Sequence, residues 1–329
     1  MFGEYRNVSI AGVAAAAPKR TINNMDFVNM FESRRVKRQV KLTGIDCRHV
    51  CDKGQQASGL ATVAARELLA KLRWDKDDVR VLVFVTQSPE VATPATAMLI
   101  QKRLGLGTDC IAFDVNLGCS GYVSGLQIVS ALLQSTKGKA LLLVGDGKYY
   151  DLPEKSTTDS LLWGDGAAAT ALEYREGSKG LVYSQNTDGS RWQLLTRSLG
   201  ETFYMDGNAI LLFSLEEVSK SIKETREHFG IQEEDIDYYV LHQAQKIILD
   251  GVAEECNIPK EKILISYDEY GNTATATVPI TICRNADLIK GQRKSLMLSG
   301  FGIGLAWANV FITVETEHIL PVILTDEVF

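Results

Sequence analysis

The sequence predicts an α/β protein built from two similar halves, and three observations carry that reading. Apolar runs of strand length alternate along the chain with amphipathic segments of helical period. The same succession of elements recurs at a lag of about 155 residues, the mark of an internal repeat. The composition, 45% hydrophobic and 23% charged over 329 residues, is that of an ordinary globular chain with length enough for two domain-sized units.

The first element is the small apolar run from Ala11 to Ala17. It is too short and too rich in alanine for the core of a signal peptide, and Glu4 stands ahead of it where a cationic region is required, so it reads as a first buried strand. Next, LLAKLRWDKDDVRVLVFVTQS (68–88) gives a charged amphipathic helix, an acidic turn and an apolar strand that ends in polar residues. Its counterpart is ETREHFGIQEEDIDYYVLHQA (224–244). DCIAFDVNLGCSG (109–121) pairs likewise with EKILISYDEYGNTAT (261–275), each read as a strand, an Asp and a Gly leading into a helix. That pairing sets Cys119 opposite Asn272. KALLLVGDG (139–147) matches KSLMLSGFG (294–302), an apolar strand closing on Gly-x-Gly. The glycine-rich stretch at 165–190 marks the crossover, dividing the chain into an N-terminal half, 1–175, and a C-terminal half, 176–329. Such alternation predicts largely parallel sheets covered on both faces. The tail after Glu315 has no assignment.

Composition excludes several function classes. With 41 acidic against 35 basic residues and a net charge of -6, the chain lacks the basic footprint of a nucleic-acid binder. No window approaches the apolar length of a membrane span, so a cytoplasmic, membrane-free protein is expected. The six cysteines, at 47, 51, 110, 119, 256 and 283, lack zinc-ribbon spacing. No metal is predicted, and five of the six are expected as small buried hydrophobes.

Three residues stand where chemistry belongs. Cys119 follows the apolar strand 111–115 and opens the helix GYVSGLQIVSALLQ, so the positive end of a helix dipole favours its thiolate. The ordinary alternative is a small core residue in a glycine-flanked turn. His242, one of four histidines, sits where the strand YYVL runs out, at the end of the strand where open α/β sheets place ligands. A histidine satisfied by a backbone carbonyl is its ordinary alternative. Asn272 lies in GNTATA, where turn capping is the plain reading. The repeat brings all three together from independent evidence.

FDVNLGCSGYVSGL, LHQAQ, YGNTATATVPI and GFGIGLAW resemble, in this order, the nucleophile, histidine, asparagine and terminal glycine-rich motifs of ketoacyl-ACP synthase III. MDGNAILLF, WGDGAAA, TPATAMLIQ and TGIDCR also look like segments of that family, and the likeness runs from about residue 5 to about 314. The resemblance implies a thiolase-like fold, layered α/β/α/β/α, and a decarboxylative Claisen condensation. Cys119 is then the nucleophile, with His242 and Asn272 its partners. The backbone N–H groups of Cys119 and Ile303 would form the oxyanion hole. An acyl pocket containing Thr93, Phe301 and Tyr204 is implied, with Arg38, Lys246 and Gln243 binding the donor or its carrier. Coenzyme A or phosphopantetheine thioesters are implied as substrates with no permanently bound cofactor, acyl carrier protein as partner, and a homodimer. Gly300 to Gly304 lacks the spacing and the following βαβ unit of a dinucleotide fingerprint, so close backbone approach to a substrate oxygen is the reading kept.

The chain departs from the family pattern where coenzyme A is held. Arg38 stands where a stacking Trp is usual, Leu42 and Ile247 where Arg is usual, and Gln245 replaces the last Asn of HQAN. These changes bear on the donor and leave the chemistry in place. A family homologue acting in a glycan, lipid or secondary-metabolite pathway is therefore an alternative. From other classes come a papain-like cysteine hydrolase, which shares the order Cys, His, Asn, and a silent carrier-protein binder. Thr93 stands where a bulky Phe from the partner subunit restricts the acyl pocket of the family to short chains. At about 0.8 kcal/mol per buried methylene, room for about three would change selectivity about fiftyfold toward donors longer than acetyl, unless Met98 or Tyr204 refills the gap.

Overall fold

Strands apolar on both faces dictate the architecture of the computed structural model, which describes residues 1–29, 31–147, 161–198, 203–291 and 293–329. Six strands form one sheet in the order β15 (Ile323–Thr325), β2 (Val8–Pro18), β8 (Gly166–Tyr174), β7 (Lys139–Asp146), β5 (Val79–Val85), β6 (Ile111–Val115). Five form the other, in the order β1 (Phe2–Tyr5), β9 (Leu181–Thr187), β14 (Ala306–Val314), β13 (Lys294–Gly302), β12 (Tyr238–Leu241). Two small pairs stand apart: β3 (Thr21–Asn23) with β4 (Cys47–His49), and β10 (Leu195–Thr196) with β11 (Tyr204–Met205).

The period-2 alternation of the strands sorts side chains into layers. Val81, Val83 and Val85 of β5 face a core they share with the second sheet, while Leu82 and Phe84 face the opposite way. That shared core is filled by α4 (Gly121–Thr136) and α9 (Thr277–Arg284), buried between the sheets. Outside the first sheet lie α2 (Ala57–Leu72) and α3 (Thr96–Leu104). The outer layer of the second sheet holds α5 (Gly207–Phe213), α6 (Ser219–Phe229) and α7 (Lys246–Glu255). The remaining helices are α1 (Ser33–Thr43), α8 (Tyr267–Tyr270) and α10 (Ala286–Ile289). The layering is α/β/α/β/α.

The repeat is visible strand by strand. β2, β8, β7, β5 and β6 have as counterparts β9, β14, β13, β12 and the segment at Ile263, with the same sequence of antiparallel and parallel pairings. The last member differs, since Ile263 makes one parallel bridge to Tyr239 where a full strand was expected. The sheets are mixed and not largely parallel. In each half a strand returns alongside its predecessor, β13 to β14 through the turn at 303–305, and so short a connection can only give an antiparallel pair. The outermost strands are exchanged: β1 completes the second sheet and β15 the first. The tail thus has a definite seat, reinforced by the Arg66–Glu327 ion pair. Of the five cysteines other than Cys119, Cys51, Cys256 and Cys283 are buried as expected, whereas Cys47 and Cys110 are only half buried, their short strand and loop lying at the margins of the layers.

Among the described residues no helix is long and apolar enough to cross a membrane. No group of three or more His, Cys, Asp or Glu among them is arranged to hold a metal.

Candidate active site

Cys119 stands between β6 and α4, 5% exposed, with Ser120 at the helix cap and Gly121 N–H bonded to Gly118 O at 2.7 Å. The thiol therefore lies at the positive end of a 16-residue helix. The end of β13 presses on this turn. A Cβ at Gly300 would fall 3.0 Å from Cys119 O, and one at Gly302 would fall 3.0 Å from Cys119 Cβ and 3.3 Å from its Sγ. Gly302 also has φ +153, so its lack of a side chain serves both the backbone and the approach to Cys119.

His242 follows β12, 2% exposed, and its N–H continues the ladder to Ser299 O at 2.7 Å. Its ring meets Phe301 edge to face with centroids 5.3 Å apart, and Nδ1 lies 2.8 Å from Thr277 Oγ1. Asn272 is held from both sides by the segment before β8: its N–H donates to Leu162 O at 2.8 Å, and its O accepts from Gly164 N–H at 3.1 Å. The Ala274 N–H donates to Asn272 Oδ1 at 2.9 Å, which identifies the oxygen and leaves the Nδ2 protons for another acceptor.

The three residues line one cavity of about 520 Å³ including its mouth. Most of its remaining wall is apolar: Leu162, Trp163, Leu195, Met205, Ile210, Ile248 and Phe301. Gln245 and Ala244 complete the wall at the start of α7. Ile303 sits in the turn after β13, where its Cβ would meet a Cβ added at Gly118 at 3.3 Å, so its peptide adjoins the loop that carries Cys119. Its N–H has no hydrogen-bond partner among the described residues.

Phe301 lies in the cavity wall, but the other five expected side chains do not. Gln243 is fully buried, with Nε2 donating to Leu241 O at 2.7 Å and Oε1 accepting from the Ser266 N–H at 2.8 Å. Its amide ties the strand end to the 264–267 segment and cannot reach a donor. Tyr204 is 58% exposed, while Met205 beside it lines the cavity, because neighbours on a strand point to opposite faces. Thr93 is exposed in the loop before α3 and takes no part in this chain's cavity wall. Arg38 is exposed on α1, and Lys246, at the start of α7, forms an ion pair with Asp250 at 2.5 Å. Sequence reasoning missed Trp163, Leu195, Met205, Ile210 and Ile248. Trp163 and Met205 open WGDGAAA and MDGNAILLF, segments already singled out, and so were within reach.

The thiols separate chemically. Burial raises the pKa of Cys47, Cys256 and Cys283, and burial with the nearby Asp165 raises that of Cys51. Cys110 is pushed up to about 11, chiefly by burial. A raised pKa means less thiolate at pH 8, so these five should react slowly with iodoacetamide. Cys119, at a helix start in an open cavity, should be carbamidomethylated first, as read by peptide mass spectrometry. Equally fast labelling at Cys110 or Cys47 would contradict the assignment.

Comparison with known proteins follows the same lines. The family profile for 3-oxoacyl-[acyl-carrier-protein (ACP)] synthase III matches residues 113–189, and the profile for the C-terminal part of that enzyme matches 227–314. The β-ketoacyl-[acyl-carrier-protein] synthase III of Streptococcus equi subsp. zooepidemicus strain H70 is 33% identical over 324 residues, covering 93% of this chain and 98% of the relative. That of Streptococcus sanguinis strain SK36 is likewise 33% identical with the same coverage. A 3-oxoacyl-(acyl-carrier protein) synthase from Burkholderia xenovorans LB400 superposes with a TM-score of 0.95 at 31% identity, covering 99% of both chains.

Proposed function

The chain belongs to the β-ketoacyl-ACP synthase III family of thiolase-fold condensing enzymes, and from that premise we propose that Cys119, His242 and Asn272 perform its decarboxylative Claisen condensation. The observation that carries the residue assignment is the convergence of these three side chains on one predominantly apolar cavity. With the family goes the set-aside of the papain-like alternative, whose fold is not built from two such halves.

In the first half-reaction the Cys119 thiolate attacks a donor acyl thioester, and the oxyanion of the tetrahedral intermediate accepts from the N–H groups of Cys119 and Ile303. The C–S bond of the donor breaks, its sulfur leaves as the thiolate with the bonding pair, and an acyl-Cys119 thioester remains. Malonyl-ACP then enters and loses CO2. The electron pair of the broken C–C bond becomes an enolate, whose oxygen accepts from His242 Nε2–H and Asn272 Nδ2–H. The enolate carbon attacks the acyl-Cys119 carbonyl, and expulsion of the Cys119 thiolate gives 3-oxoacyl-ACP and free enzyme. The apolar wall strengthens these hydrogen bonds and keeps water from the acyl-enzyme. No permanently bound cofactor is needed.

For the carrier, α1 supplies the best docking face. Arg34, Arg35, Lys37, Arg38 and Lys41 are all exposed on it, the helix has no acidic residue, and none of the five has an ion-pair partner among the described residues. Gly44, which ends α1, abuts Lys246 at the start of the helix that forms the cavity rim. In a chain of net charge -6 such a concentration suits an acidic carrier protein and steers its approach. Thr93 lies outside this chain's cavity, so its role in limiting chain length requires a second copy, as in the homodimer we propose.

The test is to incubate the protein with acyl-CoA and acyl-ACP donors of several chain lengths, record intact mass, then add malonyl-ACP. An acyl adduct located to Cys119, absent from Cys119→Ser, and its conversion to 3-oxoacyl-ACP are expected. An adduct that persists in Cys119→Ser would overturn the assignment. The CoA and ACP arms distinguish the two donors directly.

A further inference from the structure

His242 carries one contact that the mechanism above leaves unassigned. Its Nδ1 lies 2.8 Å from Thr277 Oγ1, and the same hydroxyl lies 3.2 Å from Ala274 O. Thr277 opens α9 and is 1% exposed, so the contact is sealed from solvent. A threonine hydroxyl has a single proton, and it has two acceptors to choose from.

The choice fixes the state of the imidazole. If the proton goes to Ala274 O, Oγ1 can only accept at its other contact, and Nδ1 must carry the hydrogen. A neutral His242 then has a bare Nε2, an acceptor facing the cavity. If the proton goes to Nδ1 instead, Nε2 carries the ring hydrogen. Only the second arrangement lets neutral His242 donate to an enolate oxygen. At 3.2 Å the contact to Ala274 O is long for an O–H···O bond, which leaves Nδ1, at 2.8 Å, the better acceptor for the hydroxyl proton. Ala274 meanwhile uses its N–H to orient Asn272, so one residue is bonded both to Asn272 and to the hydroxyl that meets His242. Ala274 holds φ +51, the left-handed region in which an alanine is uncommon, and that conformation brings its N–H to Asn272 Oδ1.

We propose that Thr277 is a positioning residue that donates its hydroxyl proton to His242 Nδ1 and so holds the Nε2–H tautomer needed for decarboxylation. This rests on the role assigned to His242 above. Thr277 touches neither substrate nor the reacting atoms, and it has no part in acyl transfer to Cys119.

Thr277→Val removes the hydroxyl while keeping the shape, Thr277→Ala is a second hydroxyl-free variant, and Thr277→Ser restores the donor. Malonyl-ACP decarboxylation should fall about 10- to 100-fold in the Val and Ala variants, the scale of one positioned proton-bearing group, with acylation of Cys119 within about threefold of wild type. The Ser variant should recover at least about half of the wild-type rate. In [15N]His-labelled protein the His242 resonances, identified among four histidines by their loss in His242→Gln, should report the Nε2–H tautomer in the wild type and the Nδ1–H form in Thr277→Val. Wild-type decarboxylation in Thr277→Val, an unchanged tautomer pattern, or a Ser variant as impaired as Val would each overturn the proposal. His242→Ala separates the two levels of argument. If that variant decarboxylates normally, the role of His242 itself fails; if it fails to decarboxylate while Thr277→Val does not, only the tautomer control is lost.

Discussion

Asn272→Ala is expected to lower the rate of malonyl-ACP decarboxylation about 10²- to 10³-fold, the cost of removing one preorganised donor to a developing oxyanion. The reason lies in how the side chain is held. The Leu162 and Gly164 backbone clamps the residue, the Ala274 N–H engages Oδ1, and the side chain lines the cavity with its Nδ2 protons left for another acceptor. An enolate oxygen in an apolar cavity gains more from such a donor than the malonyl carbonyl does before CO2 departs, so the loss should appear in kcat and far less in KM. Acylation of Cys119 uses other donors and should change by no more than about threefold. Release of CO2 from malonyl-ACP, measured apart from single-turnover acylation by mass, resolves the two steps. A variant that acylates poorly yet decarboxylates normally would reverse the assignment of Asn272.

The same clamp indicates why the candidate site was legible in the sequence and parts of its surroundings were not. Cys119, His242 and Asn272 each follow a strand or the vestige of one, and the repeat of strand, turn and glycine is carried by local composition that survives in both copies. Gln243 and Tyr204 were misjudged for one reason. Each is a sequence neighbour of a residue that does line the cavity, His242 and Met205, and extended backbone turns neighbours to opposite faces. Motif likeness locates a segment and cannot say which of two adjacent side chains faces in. The exchange of β1 and β15 between sheets was hidden for a different cause. Strands of 4 and 3 residues carry too little periodicity to announce a partner, and here the partner is a sheet built by the opposite half of the chain. The mixed character of the sheets was legible in principle, since the turn at 303–305 is too short for a parallel crossover.

Gly302→Ala is expected to suppress acylation of Cys119 by at least about 10²-fold, the scale on which catalytic groups misplaced by about an ångström lose rate. Two effects act together at this position. The added methyl would lie 3.0 Å from Cys119 Cβ and 3.3 Å from Sγ, so the thiol or the strand end must move. At φ +153 the alanine is also strained, at about 1–3 kcal/mol, and relief of that strain rotates the peptide leading into Ile303. Movement of this peptide carries the Ile303 N–H away from the place where the oxyanion forms, so the defect should be seen in the first half-reaction, before malonyl-ACP takes part. Gly189→Ala is the control, because a Cβ there has nothing within 4 Å and its backbone is not of the left-handed kind. The measurement is single-turnover acylation followed by intact mass, with thermal unfolding recorded alongside. If folded Gly302→Ala acylates as fast as Gly189→Ala, the close approach of β13 to the nucleophile is dispensable and the oxyanion hole must be sought elsewhere.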